Sequence, residues 1–191
     1  YYFRTYEDGR VSNGTGCGND LASENPMARK YIVDSVKYWV NEYNLDGFRF
    51  DLMGCLDIDT MLEVRSEMDK IDPSIIVLGE GWDLNTALPF HKKSIQKNAY
   101  HLEGIGHYND ALREALKGSD FGSGCDAGFV SGKPMLEGWV ATNMMGSAYY
   151  PTNRGSYTSP EQMINYVEAH DNLTLYDKLL VTNPWDDENT R

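Results

Sequence analysis

The feature that most constrains the fold is the run Ile75-Ile76-Val77-Leu78, which leads directly into Gly79-Glu80. A continuous, mainly β-branched run of this length is the pattern of a strand buried on both faces. A second strand-like segment lies upstream, LDGFRFDL from Leu45 to Leu52. It is short and aromatic, follows a turn, and suits a buried strand ending at Asp51. Helical periods precede both. Asn25-Pro26 sets a capping residue before a proline at a first helical position, and Ile32, Val36, Trp39, Val40 and Tyr43 then recur at steps of three and four up to about Asn44. Asp59 is placed to cap a second helix through Met61, Val64, Met68 and Ile71, and Asp72-Pro73 stops it. Helix, strand, helix, strand at one βα unit of spacing predicts an α/β fold, a parallel sheet covered by helices.

Residues 1–25 are rich in Gly, Asn, Asp and Ser and read as a loop, densest in such residues at GTGCGND, Gly14 to Asp20. ALREALKG, Ala111 to Gly118, reads as a helix with a glycine stop. Residues 118–158 are Gly-, Ser- and Tyr-rich and mostly irregular, and a loop of that length usually carries function or packs over a site. Ser159-Pro160-Glu161-Gln162 has the form of a capping box. Ile164 to Ala169 reads as a short strand ending at His170-Asp171, with Asn172 placed to cap the helix LTLYDKLL. No internal repeat or low-complexity tract is present.

The 191 residues, 41% apolar, suffice for one sizeable core. A formal charge of −12 argues against nucleic acid and membrane surface as partners, because an acidic chain repels phosphates and anionic lipid. A neutral or cationic substrate fits better. The 13 Tyr, 4 Trp and 6 Phe supply flat apolar faces that suit sugar rings, although most belong in a core. Cys17, Cys55 and Cys125 are widely spaced and odd in number, which suits buried or semi-buried thiols rather than a zinc site or disulfide framework. There is no signal peptide and no run of 18 apolar residues. The abrupt opening YYFRTYEDGR is unlike a natural N-terminus, so that terminus is expected to be missing and compartment stays open between cytoplasmic and secreted.

Three strand-like segments end in carboxylates: Asp51, Glu80 and Asp171. In a parallel α/β barrel the C-terminal strand ends converge on one mouth, where active sites sit. Two carboxylates about 5–5.5 Å apart serve a retaining glycosidase, one attacking the anomeric carbon and the other shuttling the proton. A third can stabilise the cationic transition state. Arg49 stands two residues before Asp51, on the same strand face, and could hold it by charge and hydrogen bonds. The competing readings are caps, solvated carboxylates, or a Ca²⁺ or Mg²⁺ site. His170 alone reads as a packed or hydrogen-bonded histidine.

The segments DGFRFDLMG (Asp46 to Gly54), LGEGWDL (Leu78 to Leu84) and YVEAHDNLTLYDKL (Tyr166 to Leu179) resemble the second, third and fourth signature regions of the α-amylase clan of glycoside hydrolases. NGTGCGND, the GEGW form, GHYNDALREALKG (Gly106 to Gly118) and HDN before LTLYDKL are similar to the pullulanase-type debranching branch of that clan. The similarity runs from about residue 1 to 180. Each motif is moderately specific, and three in the right order at barrel-unit spacing are strongly so.

The resemblance implies a retaining hydrolase of α-1,6 branch linkages in pullulan, amylopectin or glycogen-type glucans. Asp51 would be nucleophile, Glu80 acid/base and Asp171 transition-state stabiliser. Arg49 would orient Asp51, and His170 would bond sugar hydroxyls. Trp82 and Asn19 would contact substrate, against the plainer readings of packed ring and turn residue. No cofactor is required, and a structural Ca²⁺ is compatible but has no ligands placed. Gly81 stands where many members carry proline, which should loosen the backbone there. The clan's first signature and its eighth-strand segment are absent. Residues 1–191 thus correspond to a partial catalytic domain, about strands 4 to 7 of a (β/α)8 TIM barrel that typically needs about 250 residues. The rest of the barrel would come from the parent chain. Alone, the piece is expected to be marginally stable and inactive, since its strand edges and apolar sheet face lack partners. The alternatives are an α-1,4-acting amylase of the same clan and a non-catalytic glucan-binding barrel.

Overall fold

The structure is a computed structural model that describes residues 1–119, 121, 124, 126–145 and 157–190. Two compact units divide it: Tyr1–His107 with Gly155–Gln162, and Tyr108–Arg154 with Met163–Arg191, taking the described residues of each.

In the first unit, helix α1 spans Pro26–Tyr43. Its end is local chemistry. Asn44 adopts a left-handed backbone, φ 52°, and its N–H returns to the Val40 carbonyl, a conformation asparagine tolerates. Ala28, Ile32, Val33, Val36 and Val40 form the buried stripe. Trp39 and Tyr43, expected in that stripe, instead stack on one another at 4.8 Å on the exposed side. Helix α2, Ile58–Ile71, is capped by Asp57 and not by Asp59. Asp57 has extended backbone and accepts the Thr60 N–H at 3.0 Å. Asp59 already lies inside the first turn, where it cannot fold back as a cap. Asp57 is held further by Arg29, and its N–H donates to Ser23 Oγ.

Strands β1, Gly47–Phe50, and β2, Ile76–Gly79, pair in parallel, with Phe48 opposite Val77 and Arg49 opposite Leu78. Val77 joins Val36, Val40, Met61, Val64 and Met68 in the core, with Phe48 and Phe50 packed against it. Burial of β2 on both faces is not observed: Val77 is 2% exposed but Ile76 is 58%. Successive side chains alternate between faces, and α1 and α2 cover one of them. A strand not anticipated from sequence, β3 (Gly106–Tyr108), pairs in parallel with β2, Gly79 opposite His107. Pro160–Gln162 form a single 3₁₀ turn. The buried Gln162 is not the partner of a Ser159 cap: its amide donates to the carbonyls of Ala99 and Leu102.

In the second unit, α3 spans Asp110–Lys117, capped by the Asn109 side chain and ended by Gly118 at φ 88°. Leu112 and Ala115 cluster with Val140 of α4, Glu137–Met144, which lies inside the stretch 118–158. Strand β4 is only Met163–Ile164, so His170-Asp171 does not directly follow a strand end. The Ile164 carbonyl accepts the Asn109 N–H at 3.0 Å. Thr174, not Asn172, caps α5, Leu175–Thr182, because Asn172 sits in a left-handed turn at φ 64°. In the first unit the strands run in the order β1-β2-β3.

Cys17 is exposed, which corrects the expectation of a buried or semi-buried thiol, since it lies in the Gly-rich surface loop. Cys55 is buried, and that burial pushes its thiol up to about 11. Cys125 lies outside the described residues. No described helix is long and apolar enough to cross a membrane.

Candidate active site

The end of β1 turns sharply. Leu52 takes a left-handed backbone, φ 44°, an unusual state for a residue with a branched side chain. That turn aims the Leu52 N–H at Glu80 Oε2, 2.8 Å away. A charge-assisted bond of this kind is stronger than a neutral one and offsets the backbone strain. The chain then makes a short 3₁₀ turn, Met53–Cys55. From it the Gly54 N–H donates to the Glu80 carbonyl at 2.9 Å. A Cβ on Gly54 would lie 1.9 Å from the Trp82 carbonyl oxygen, so only glycine admits this approach.

Glu80 follows β2 directly. Its own N–H donates to the Phe50 carbonyl at 3.1 Å, continuing the β1–β2 ladder one residue past the end of β2. Its side chain is buried, whereas that of Asp51 is 66% exposed. Arg49 joins them, with Nη1 donating to Asp51 Oδ1 and Nη2 to Glu80 Oε1. A planar guanidinium suits this role because its fork presents two donors at once. Arg49, Asp51 and Glu80, 31 residues apart at the extremes, thus form one charged cluster at adjacent strand ends.

Trp82 is half-buried, and its indole Nε1 is enclosed with no hydrogen-bond partner among the described residues. Asn19 is exposed at the loop tip, and its carbonyl accepts from Thr15 Oγ1 at 2.9 Å. The order of that loop comes from Asp20, which sequence reasoning did not single out. Asp20 is wholly buried and accepts from Ser12 Oγ at 2.5 Å, Gly14 N–H at 2.9 Å and Thr15 N–H at 3.0 Å. Burial alone would raise its pKa, but these bonds and that from Thr86 outweigh it and bring the carboxyl down to about 2. His170 and Asp171 belong to the second unit, both well exposed, with Nε2 and Oδ2 3.6 Å apart. Among the described residues no cluster of three His, Cys, Asp or Glu could hold a metal ion.

Gly81 is not loosened as expected. It is buried, and its carbonyl accepts the Gln96 N–H at 2.7 Å. His107, also missed in the sequence, lies against it: a Cβ on Gly81 would come within 2.4 Å of His107 Nδ1. Burial lowers the imidazole pKa from 6.5 to about 4, so the ring is neutral near pH 7.

A parallel sheet with helices, carrying an arginine-linked carboxylate pair at neighbouring strand ends, is the arrangement of the α/β proteins, which place their sites at the C-terminal ends of their strands. Comparison with known proteins narrows this class. No family model matches. The chain is 46% identical over 191 residues to a pullulanase of Bacillus subtilis (strain 168), covering all of this chain and 26% of that protein. It is 34% identical to the chloroplastic pullulanase 1 of Arabidopsis thaliana, over 96% of this chain and 24% of that one. Among solved structures, the pullulanase of Paenibacillus barengoltzii in complex with maltohexaose and α-cyclodextrin matches with a TM-score of 0.94 at 46% identity, over 99% of this chain and 29% of that one. The pullulanase of Anoxybacillus sp. LM18-11 in complex with maltotriose matches with a TM-score of 0.92 at 50% identity, over 99% and 26%. The chain is homologous to the pullulanases, which are glycosidases, and corresponds to a fragment of their barrel. It spans about a quarter of the length of these relatives.

Proposed function

We propose that the parent of this chain hydrolyses α-1,6 glucosidic branch linkages in pullulan, amylopectin or glycogen-type glucans with retention of configuration. Residues 1–191 form part of its catalytic domain. The observation that carries the reading is the Arg49 bridge, which ties Asp51 and Glu80 into one site. Support for a glucan comes from the pullulanase relatives and from structural neighbours bound to maltotriose and maltohexaose.

In the first step an Asp51 carboxylate oxygen attacks the anomeric carbon while Glu80 protonates the departing glycosidic oxygen, and the C–O bond breaks. In the second step Glu80 takes a proton from water, whose oxygen displaces Asp51 from the same carbon. Arg49 orients Asp51 through the bond it donates to that carboxylate. Asp171 stabilises the cationic transition state and His170 binds hydroxyls at the cleavage point. Trp82 and Asn19 contact the flanking sugars. The chemistry moves protons and a glycosyl group only, and needs no cofactor.

The test is product analysis on pullulan by the parent enzyme and its Asp51→Asn variant. Maltotriose from the parent, with a rate about 10⁴-fold lower or worse in a folded variant, is expected when the nucleophile is removed. Other products would mean α-1,4 cleavage. Binding without turnover would mean a non-catalytic barrel.

A further inference from the structure

Behind the candidate acid lies a group that the proposed mechanism does not use. His107, in β3, is wholly buried, and neither ring nitrogen has a hydrogen-bond partner among the described residues. Burying a polar ring with no bond to either nitrogen is unfavourable, so a particular reason for it is to be sought. On one side the ring meets Tyr157 edge-on, with centroids 5.9 Å apart. On the other it occupies the volume that any side chain at position 81 would need. A Cβ on Gly81 would lie 2.4 Å from Nδ1 and 3.2 Å from Cε1 of His107. The Gly81 peptide is thus held between the imidazole and the Gln96 N–H that its carbonyl accepts. Glu80, one residue earlier, is fixed through its backbone by Phe50 and Gly54. The ring stands against the residue that leaves Glu80.

We propose that His107 is a positioning residue for Glu80, its flat ring acting through Gly81 to set the direction from which the acid delivers its proton. This inference rests on the reading of Glu80 as the acid/base. A proton donor off by about an ångström costs on the order of 10²-fold in rate, whereas bulk binding of a long glucan is little affected.

The experiment uses the parent enzyme and two substrates. Pullulan has a poor alkoxide leaving group that needs the proton. α-Maltotriosyl fluoride releases fluoride unprotonated, and added azide attacks the anomeric carbon and frees Asp51 without a base. For His107→Ala, kcat on pullulan should fall roughly 10- to 100-fold with KM within about twofold, while turnover of the fluoride with azide stays within about threefold. His107→Phe, which restores a flat ring, should recover most of the pullulan rate. Should His107→Ala fail to fold, Gly81→Ala, which drives a methyl into the ring, should give the same split between substrates. An equal loss on both substrates, an unchanged pullulan rate, or no recovery with phenylalanine would overturn the proposal. Glu80→Ala is the control. It should show the same split more severely. If it loses both substrates alike, the failure belongs to the acid/base assignment and not to His107.

Discussion

Replacing Asp20 by asparagine should unlock the loop at residues 13–20 without disturbing the sheet. In the native protein Oδ2 accepts from Ser12 Oγ and the Gly14 N–H, and Oδ1 accepts from the Thr15 N–H. Asparagine is nearly isosteric but has only one acceptor oxygen. Whichever way the amide is turned, its NH₂ faces a backbone N–H, that of Gly14 or that of Thr15, and that bond is lost. The magnitude follows from the carboxyl pKa, which the surroundings lower from 3.8 to about 2. That difference of nearly two pH units corresponds to about 2.5 kcal/mol of preference for the ionised side chain, at ~1.4 kcal/mol for each. Hydrogen bonds to a charged group contribute ~1.5–3 kcal/mol each, and the burial that opposes them reduces the sum of several to this net figure. The effect should spread along Ser12, Thr86 and the buried Arg4, since Ser12 Oγ lies 3.3 Å from Thr86 Oγ1 and Arg4 donates to Thr86 Oγ1 at 2.7 Å. Amide hydrogen exchange resolves this locally. The Gly14 and Thr15 amides should exchange roughly 50- to 100-fold faster in Asp20→Asn at pH 7, with β1 and β2 amides unchanged. A change below about threefold at both amides would refute the argument that charge-assisted bonds order this loop. The sign with pH is also set. Because the folded pKa is depressed, the stabilisation is complete above about 4 and lost as pH falls toward 2.

His107 titrates in a different window. Its folded pKa is about 4 because burial disfavours the charged ring, against 6.5 when unfolded, so the unfolded chain gains the proton first. Stability should therefore fall as pH drops from about 6.5 to about 4, by up to roughly 3 kcal/mol, and urea midpoints should lose this slope in His107→Phe. Arg49→Lys keeps the charge but not the fork that reaches Asp51 and Glu80 together. Activity of the parent on pullulan should drop on the order of 10²-fold with an unchanged near-ultraviolet circular dichroism spectrum, and retention of the rate would remove Arg49 from the site.

Much of the architecture was legible because it is written in local pattern. The three-and-four spacing of Ile32, Val36 and Val40 places α1, Asp72-Pro73 ends α2, and the run before Gly79 marks β2. The Arg49-Asp51 step and Glu80 after the second strand were visible for the same reason: strand ends carry the residues that face a site. Other features were hidden by their size or their ambiguity. Strand β3 is three residues, Gly-His-Tyr, with no alternation to detect, and its ladder bonds to β2 are what make it a strand. Asp57 and Asp59 are chemically alike, and only the extended backbone at 57 makes one of them the cap.

The sequence by itself determined the order α1-β1-α2-β2, the two carboxylates at neighbouring strand ends and the arginine that accompanies them, because periodicity, turn chemistry and strand alternation act over a few residues. The tertiary structure alone decided that Arg49 reaches across to Glu80, that Asp20 is a buried acceptor and that His107 stands against Gly81. Those contacts join residues tens of positions apart, and their energies arise only when folding excludes water from the space between them.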